Sequence, residues 1–287
     1  MTKSKIRVSL VIPAYNEESY LALCLEAIAA QTVRPFEVIV VDNNSTDATA
    51  EIARRYPFVT LLSEPRQGLV YARNRGFNAA RGDVIGRTDS DAVLAPDWVA
   101  NVQRTFADSQ VAAASGVVRY RDIGLRKVFD GIDSTFRRFL AARSAGRREI
   151  FLYGVTMGIR RSVWREIQPQ LCTARRMAED LDLAAHLAAT KHRVVFAPRM
   201  EASFSPRQAA SGPREFYRYV WSGPRTYRLH GLASQRYMYP MALFVTVCYL
   251  PIRLLYKGYD PATQRFSVAY ALRSGVRPRV SPVSELI

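Results

Sequence analysis

Cysteine is scarce, and the few that occur do not cluster. Cys24, Cys172 and Cys248 are the only three in 287 residues, each far from the others and set in a helical or apolar context. That spacing excludes a disulfide framework and a cysteine-built metal motif, and it favours a reducing compartment. Cys24 reads as a small buried apolar residue. Acids are the minority charge, 25 against 41 Lys and Arg, giving a net charge of +16 and a pI near 10.1. Such basicity predicts attraction to something anionic: nucleic acid, phospholipid headgroups or phosphorylated ligands. The opening apolar run is broken too soon, at Pro13, to read as a signal peptide. The uncharged run 237–252 falls short of the roughly 20 apolar residues that a spanning helix needs. No internal repeat or low-complexity block is visible. With 48% hydrophobic and 23% charged residues, the chain has ample core material. Its length suits one large α/β domain with an appendage, or two domains.

What is present is organised around residues 80–98. The short apolar run Val84-Ile85 leads to Thr88, then Asp89-Ser90-Asp91, then Pro96-Asp97-Trp98. This predicts a buried strand ending in an acidic turn, followed by a helix over 96–109 with Pro in its first turn. Asp89 and Asp91, two apart, share a face of an extended strand or converge in a turn. Converging carboxylates repel unless a cation lies between them. Hard oxygen ligands suit Mg²⁺ or Mn²⁺, ions that commonly bring substrate phosphates.

The rest of the first half alternates strand and helix. Strands are predicted over 7–14, 36–41, 58–62, 84–88, 111–120, 151–160 and 193–197. Helices are predicted after Tyr15–Glu17, from a Ser45 or Thr46 cap through Tyr56, and over 69–80, 162–168 and from 179 to near Lys191. This pattern argues for a parallel sheet with helices on both faces, with ligands held where the carboxyl ends of the strands emerge. The clusters Tyr15–Glu17, Asp42–Ser45 and Asp89–Asp91 all fall at strand ends. Residues 122–148 read as an amphipathic helix with Phe129, Ile132, Phe136, Phe139 and Leu140 on one face and Arg137, Arg138, Arg143, Arg147 and Arg148 on the other. That face is either solvated or turned to a membrane or an acceptor.

From Ser205 onward, twelve Arg or Lys meet three Asp or Glu, so +9 of the net charge lies there. Run 237–252 is an interfacial or re-entrant segment, a span, or a buried core helix. Arg236, Arg253 and Lys257, with Tyr237, Tyr239, Tyr249 and Tyr256, fit a headgroup boundary. Residues 273–287 read as a loose basic tail. A division into 1–230 and a basic, partly apolar extension 231–287 follows.

The runs VSLVIPAYNEE, VIVVDNNSTDAT, GLVYARNRGFNAARGDVIGRTDSDAVLAPDWV, AEDLDLAAHLA and VVFAPR, in this order over residues 6–205, resemble the family 2 glycosyltransferases. The resemblance implies a GT-A fold: a mixed, mainly parallel sheet flanked by helices. It implies a nucleotide-diphosphate sugar donor, with a UDP-sugar favoured over a GDP-sugar, and a divalent cation, Mn²⁺ or Mg²⁺. Carried over, Pro13, Ala14, Tyr15 and Glu17 line the base and ribose, Asp42 accepts from the base edge, and Arg73 lies by the nucleotide. Asp89 and Ser90 face the ribose or sugar, and Asp91 binds the cation with Asp89. The catalytic Glu-Asp pair is Glu179-Asp180, with Asp180 the general base.

Two departures stand out. Many members carry a metal-ligating His after the Ala-Pro strand, where this chain reads PRMEASFSPR, with Ser203 or Ser205 and no His. Processive members carry Gln-x-x-Arg-Trp, where this chain reads FYRYVWSGPRTYRLHG. In that stretch Arg218, Trp221 and Arg225 could serve the donor diphosphate and the acceptor, or simply form an aromatic-basic surface. The expected activity is inverting transfer of a sugar to a hydroxyl of a glycan or lipid-linked acceptor, at the inner face of a membrane touched by the basic extension. A polyprenyl-phosphate acceptor and a donor-binding subunit without turnover remain open. The glycine-free PAYNEE turn opposes a nucleotidyltransferase. The acidic strand ends oppose a nucleic-acid partner.

Overall fold

A computed structural model describes residues 5–123, 126–131, 135, 152–172, 177–190, 192–231, 235–260, 263, 265–267 and 269. Strands β1 (Val8–Ala14), β2 (Glu37–Asp42), β3 (Val59–Ser63), β4 (Val84–Arg87), β5 (Ala92–Leu94), β6 (Val111–Tyr120), β7 (Met157–Arg160) and β8 (Arg193–Phe204) form one sheet, in the order β3-β2-β1-β4-β7-β6-β8-β5. The first four run parallel, β6 and β8 run parallel, and β7 and β5 run antiparallel to their neighbours. The mixed, mainly parallel sheet is the one expected.

β1 is buried at every position because helices cover both faces, which is why it reads as an unbroken apolar run. Leu10 and Ile12 point to one side, where they join Leu21, Cys24, Leu25 and Ile28 of α1 (Leu21–Ala29) and Trp98, Val99 and Val102 of α4 (Trp98–Thr105). Val11 points to the other, among Ala72 and Phe77 of α3 (Leu69–Ala79), Trp164 of α5 (Arg161–Ile167) and Leu183 and Leu187 of α6 (Glu179–Ala189).

Several boundaries differ from the sequence reading. The helix after β2, α2 (Thr49–Arg54), starts later than Ser45 or Thr46, because both of those residues hydrogen-bond Asn16. Pro96 precedes α4 and is not in its first turn, and β5 follows directly on the acidic turn. Residues 152–156 lie outside β7, which begins at Met157. β8 runs past Pro198 to Phe204. Its pairing with β6 jumps from Ser115↔Phe196 to Val117↔Glu201, and Pro198 lies in the resulting bulge, where its missing N–H costs no ladder bond.

Beyond β8, α7 (Pro213–Leu229), α8 (Gln235–Val247) and α9 (Tyr249–Gly258) follow, the last two bent by 57°. Tyr256 packs with Ile123 and Ala209, and its hydroxyl meets Ser205 at 3.2 Å. Of the expected helix over 122–148, residues 126–131 are helical; Ile132 and 136–148 lie outside the described residues. The side chain of Arg236, Arg175, Arg176, Lys191 and the tail 273–287 also lie outside them.

Candidate active site

The carboxyl ends of β1, β2 and β4 bring three loops together. β1 ends at Pro13-Ala14, and Ala14 pairs with Asp42. Beyond it Tyr15 is half exposed, and Asn16 takes a left-handed φ of 52° that turns the chain. The Asn16 N–H donates to Ser45 Oγ at 3.0 Å, the Thr46 N–H to Asn16 Oδ1 at 2.9 Å, and the Glu17 N–H to Thr49 Oγ1 at 2.7 Å. Asp42 accepts from the Ser45 N–H at 3.1 Å. Asn43, which the sequence reading passed over, is the pin. Its buried amide donates to the carbonyls of Glu64 and Arg66, at 2.9 and 2.7 Å, and accepts from the Gly68 N–H at 2.7 Å.

The acidic turn after β4 joins this group through a residue that sequence reasoning missed. Arg207 reaches Asp91 at 2.8 Å and Glu17 at 2.7 Å, and its guanidinium lies 4.3 Å from the Tyr20 ring centroid. Burial opposes the charge on Arg207, but Asp91 and Glu17 more than offset it and hold the group above its ordinary value. Burial pushes Glu17 up to about 7, against the pull of Arg207. Burial likewise pushes Asp89 up to about 6, against Arg87, with Asp91, Glu179 and Asp180 adding to the rise. The segment expected to supply a metal-ligating His thus supplies an arginine. Ser203 and Ser205, which stand in that segment where a His was absent, turn to Val93 and Tyr256.

On the other side of the turn, Arg87 spans Asp89 at 2.9 Å and Glu179 at 2.6 Å. Glu179 also takes Arg73 at 2.7 Å. This corrects two expectations. Arg73 is fully buried under the Trp164 ring, so it holds Glu179 and does not line a nucleotide. Glu179 has both carboxylate oxygens engaged by arginines, so it positions its neighbours and is not placed to act on a substrate. Such a buried triad is costly to break, because removal of one member leaves charge behind.

Asp180, the next residue, makes no ion pair among the described residues, although the charge of Arg87 is felt there. Its carboxylate accepts from the Gly154 N–H at 3.2 Å and the Leu181 N–H at 2.9 Å. Burial and the neighbouring Glu179 raise it above the ordinary carboxylate range. Gly154 is required: a Cβ there would come within 1.5 Å of Arg87 Nη1. The Ala178 N–H, just before α6, donates to Thr226 Oγ1 of α7 at 3.0 Å. Arg218, Trp221 and Arg225 are not drawn into this cluster by any described contact. With Pro213, Arg214 and Tyr217 they line an open groove of about 420 Å³ along α7.

The donor chemistry fits a divalent cation. Asp91 and Asp89 offer hard oxygens, and Glu17 Oε2 is buried without a hydrogen-bond partner among the described residues. Burial lifts Glu17 and Asp89, and the neighbouring acids add to the rise. Among the described residues, Arg207 alone stands on Asp91 Oδ2, through Nε and Nη2, each at 2.8 Å.

The model of the family described as Glycosyl transferase family 2 matches residues 9–168. The chain belongs to family 2 of the glycosyltransferases. This family 2 chain is 32% identical over 114 residues to glycosyltransferase GlyA of Streptococcus pneumoniae, covering 38% of itself and 16% of GlyA. It is 33% identical over 127 residues to glycosyltransferase AglE of Haloferax volcanii, covering 42% of each. It therefore spans less than half the length of these relatives. Its fold is GT-A. A mannosyltransferase of Pyrobaculum calidifontis, solved with GDP-Man and Mn²⁺, superposes with a TM-score of 0.57 at 22% identity, over 94% of this chain and 78% of that one. TarS 1-349 of S. aureus with UDP-GlcNAc gives 0.55 at 15% identity, over 86% and 82%.

Proposed function

We propose that this family 2 member transfers a sugar from a nucleotide-diphosphate donor to a hydroxyl of a glycan or lipid-linked acceptor, with inversion, in the presence of Mn²⁺ or Mg²⁺. One observation carries the reading. Acids from three parts of the chain, Glu17, Asp89 with Asp91, and Asp180, gather at one sheet edge, and among the described residues only Asp180 of these makes no ion pair.

The residues divide the work. Tyr15 and Asp42 form the nucleoside side. Asp91, with Asp89, would hold the cation, whose charge would offset that of the departing diphosphate. Arg207 is freed from Asp91 to face phosphate oxygens. Asp180 takes the acceptor proton as the new bond forms at the anomeric carbon and the bond to diphosphate breaks with its electron pair. A single displacement needs one base, and a raised carboxylate is a better base than an ordinary one. The Gly154 and Leu181 N–H groups keep it aimed.

The donors seen with the structural neighbours, GDP-Man and UDP-GlcNAc, support a nucleotide-sugar and leave both UDP- and GDP-sugars to be tried. Membrane contact through the extension belongs to the same proposal. No single described helix is long and apolar enough to cross a membrane; the bent pair α8 and α9 together has the length and composition to do so. Its Leu243, Phe244, Val247, Leu250 and Leu254 are all exposed. That favours a segment lying in the inner leaflet surface over a core helix.

Thermal shift with a panel of nucleotide-sugars and Mn²⁺ tests the reading. One donor should raise Tm in the presence of metal and lose the effect with chelator. If no donor stabilises the chain, the donor site is not where we place it.

A further inference from the structure

The chain has three histidines, and two of them stand around one buried carboxylate that the transfer chemistry does not use. Asp182 lies two positions after Asp180 on α6, so it points to another side of that helix. Its side chain is 1% exposed. It accepts from the Cys172 N–H at 3.1 Å and from His230 Nε2 at 2.9 Å. His186, one turn further along α6, places Nδ1 at 4.0 Å from Asp182 Oδ1. The Cys172 Sγ, an Asp182 oxygen and a His186 ring nitrogen all lie within 4.8 Å of one another.

The hydrogen bonding of His186 supplies an independent observation. Its Nε2 meets the Gln170 carbonyl at 2.7 Å. A carbonyl only accepts, so Nε2 carries the proton and Nδ1 carries a lone pair. That lone pair is buried and has no hydrogen-bond partner, and it faces a carboxylate oxygen at a distance too long for a hydrogen bond. Burial holds the imidazole below its ordinary value, so a proton does not fill the gap. A metal-ligating histidine characteristically donates its other N–H to a backbone carbonyl, and Gln170 provides that carbonyl. A lone pair, a carboxylate and a thiol that converge on one point lack only a cation.

We propose that Cys172 Sγ, Asp182 and His186 Nδ1 bind a zinc-class divalent ion, with His230 holding Asp182 from outside through its Nε2–H. Mixed S, O and N donors suit Zn²⁺ and do not suit Mg²⁺ or Mn²⁺, which prefer oxygen. Burial and the Asp182 hydrogen bond keep the Cys172 thiol protonated in the metal-free chain; a bound cation reverses that preference, and zinc binding releases the proton. The ion would tie the loop after α5 to the helix that carries Asp180, and the His230 hydrogen bond to Asp182 extends that tie to the end of α7. It would be separate from the strand-end acids, with water in its fourth place. The sequence conceals it: the three ligands are spread over 172–186, and only the fold brings Cys172 to the other two.

The test uses the full chain, stripped with chelator and titrated with Zn²⁺ and then with Co²⁺. The wild type should retain one zinc ion per chain after desalting, should melt at a higher temperature with zinc than without, and should show a thiolate-to-cobalt charge-transfer band. Cys172→Ser should abolish the band, and His186→Gln should weaken zinc binding by about 100-fold or more, judged against the 10–100-fold cost of losing only an outer partner. Both positions are partly exposed, so both variants should fold, as checked by circular dichroism. Asp91→Asn should keep the zinc. Absence of retained zinc and of a cobalt band in the wild type would overturn the proposal, and so would unchanged zinc affinity in both variants. Loss of the ion in Asp91→Asn would assign it to the strand-end acids instead, and would overturn the proposal too.

Discussion

Glu179 and Asp180 are adjacent in sequence and opposite in circumstance. Glu179 is closed in by Arg73 and Arg87 and is 5% exposed. Among the described residues, the Asp180 carboxylate meets backbone N–H groups from Gly154 and Leu181 and no ion-pair partner. One carboxylate is paired twice and fixed, so it organises its surroundings. The other is lifted by burial and by Glu179, against the weaker pull of Arg87, so accepting a proton relieves it. The pair shows how two identical functional groups, one peptide bond apart, acquire different roles from the side of the helix they occupy.

The largest effect that would sharpen this contrast is on turnover. Asp180→Asn should lower the transfer rate by about 10²–10⁴-fold while donor affinity stays within a few fold, measured by product formation and by calorimetry. Near-normal turnover would erase the distinction. In the wild type, the rate should fall as the pH drops through the raised pKa of Asp180, since only the ionised form takes a proton.

Glu179→Ala should act on stability instead. It leaves two buried guanidinium groups without their shared partner, at a cost of about 3–5 kcal/mol, read as a lowered denaturation midpoint. Gly154→Ala should come next. Its methyl displaces Arg87 and with it both carboxylates, so turnover and stability should fall together. Restored turnover in that variant would mean that Arg87 does not set the position of Asp180.

The smallest expected effect concerns Glu17. Its folded pKa of about 7 exceeds that of an unfolded glutamate, so the folded chain binds the proton more tightly. Stability therefore rises as pH falls from 8 to 6. With chelator present, the wild type should gain about 1 kcal/mol over Glu17→Gln across that range, a few degrees in Tm. Equal slopes would place Glu17 in a more solvated setting than the one described.

Much of the fold could be read because parallel strands covered on both faces are unbroken apolar runs, as in FEVIVV before Asp42. β6 was read to its exact ends for the same reason. β5 escaped because three residues between an acidic turn and a helix carry no period. The second half of β8 escaped because Pro198 reads as a stop, whereas a bulge absorbs it. At the site, residues within short motifs were legible and their partners were not. Nothing local to Arg207 announces an approach to Asp91, 116 positions earlier. The family resemblance alone puts Arg73 by the nucleotide; its burial depends on Trp164 and Glu179, which lie far along the chain.

The hydrogen bond from the Ala178 N–H to Thr226 has a mechanical consequence. Thr226 stands beside Arg225, on the helix whose outer groove is open. Any molecule that tilts this helix pulls on the peptide just ahead of Asp180. Filling the groove and aiming the carboxylate are then two readings of a single lever.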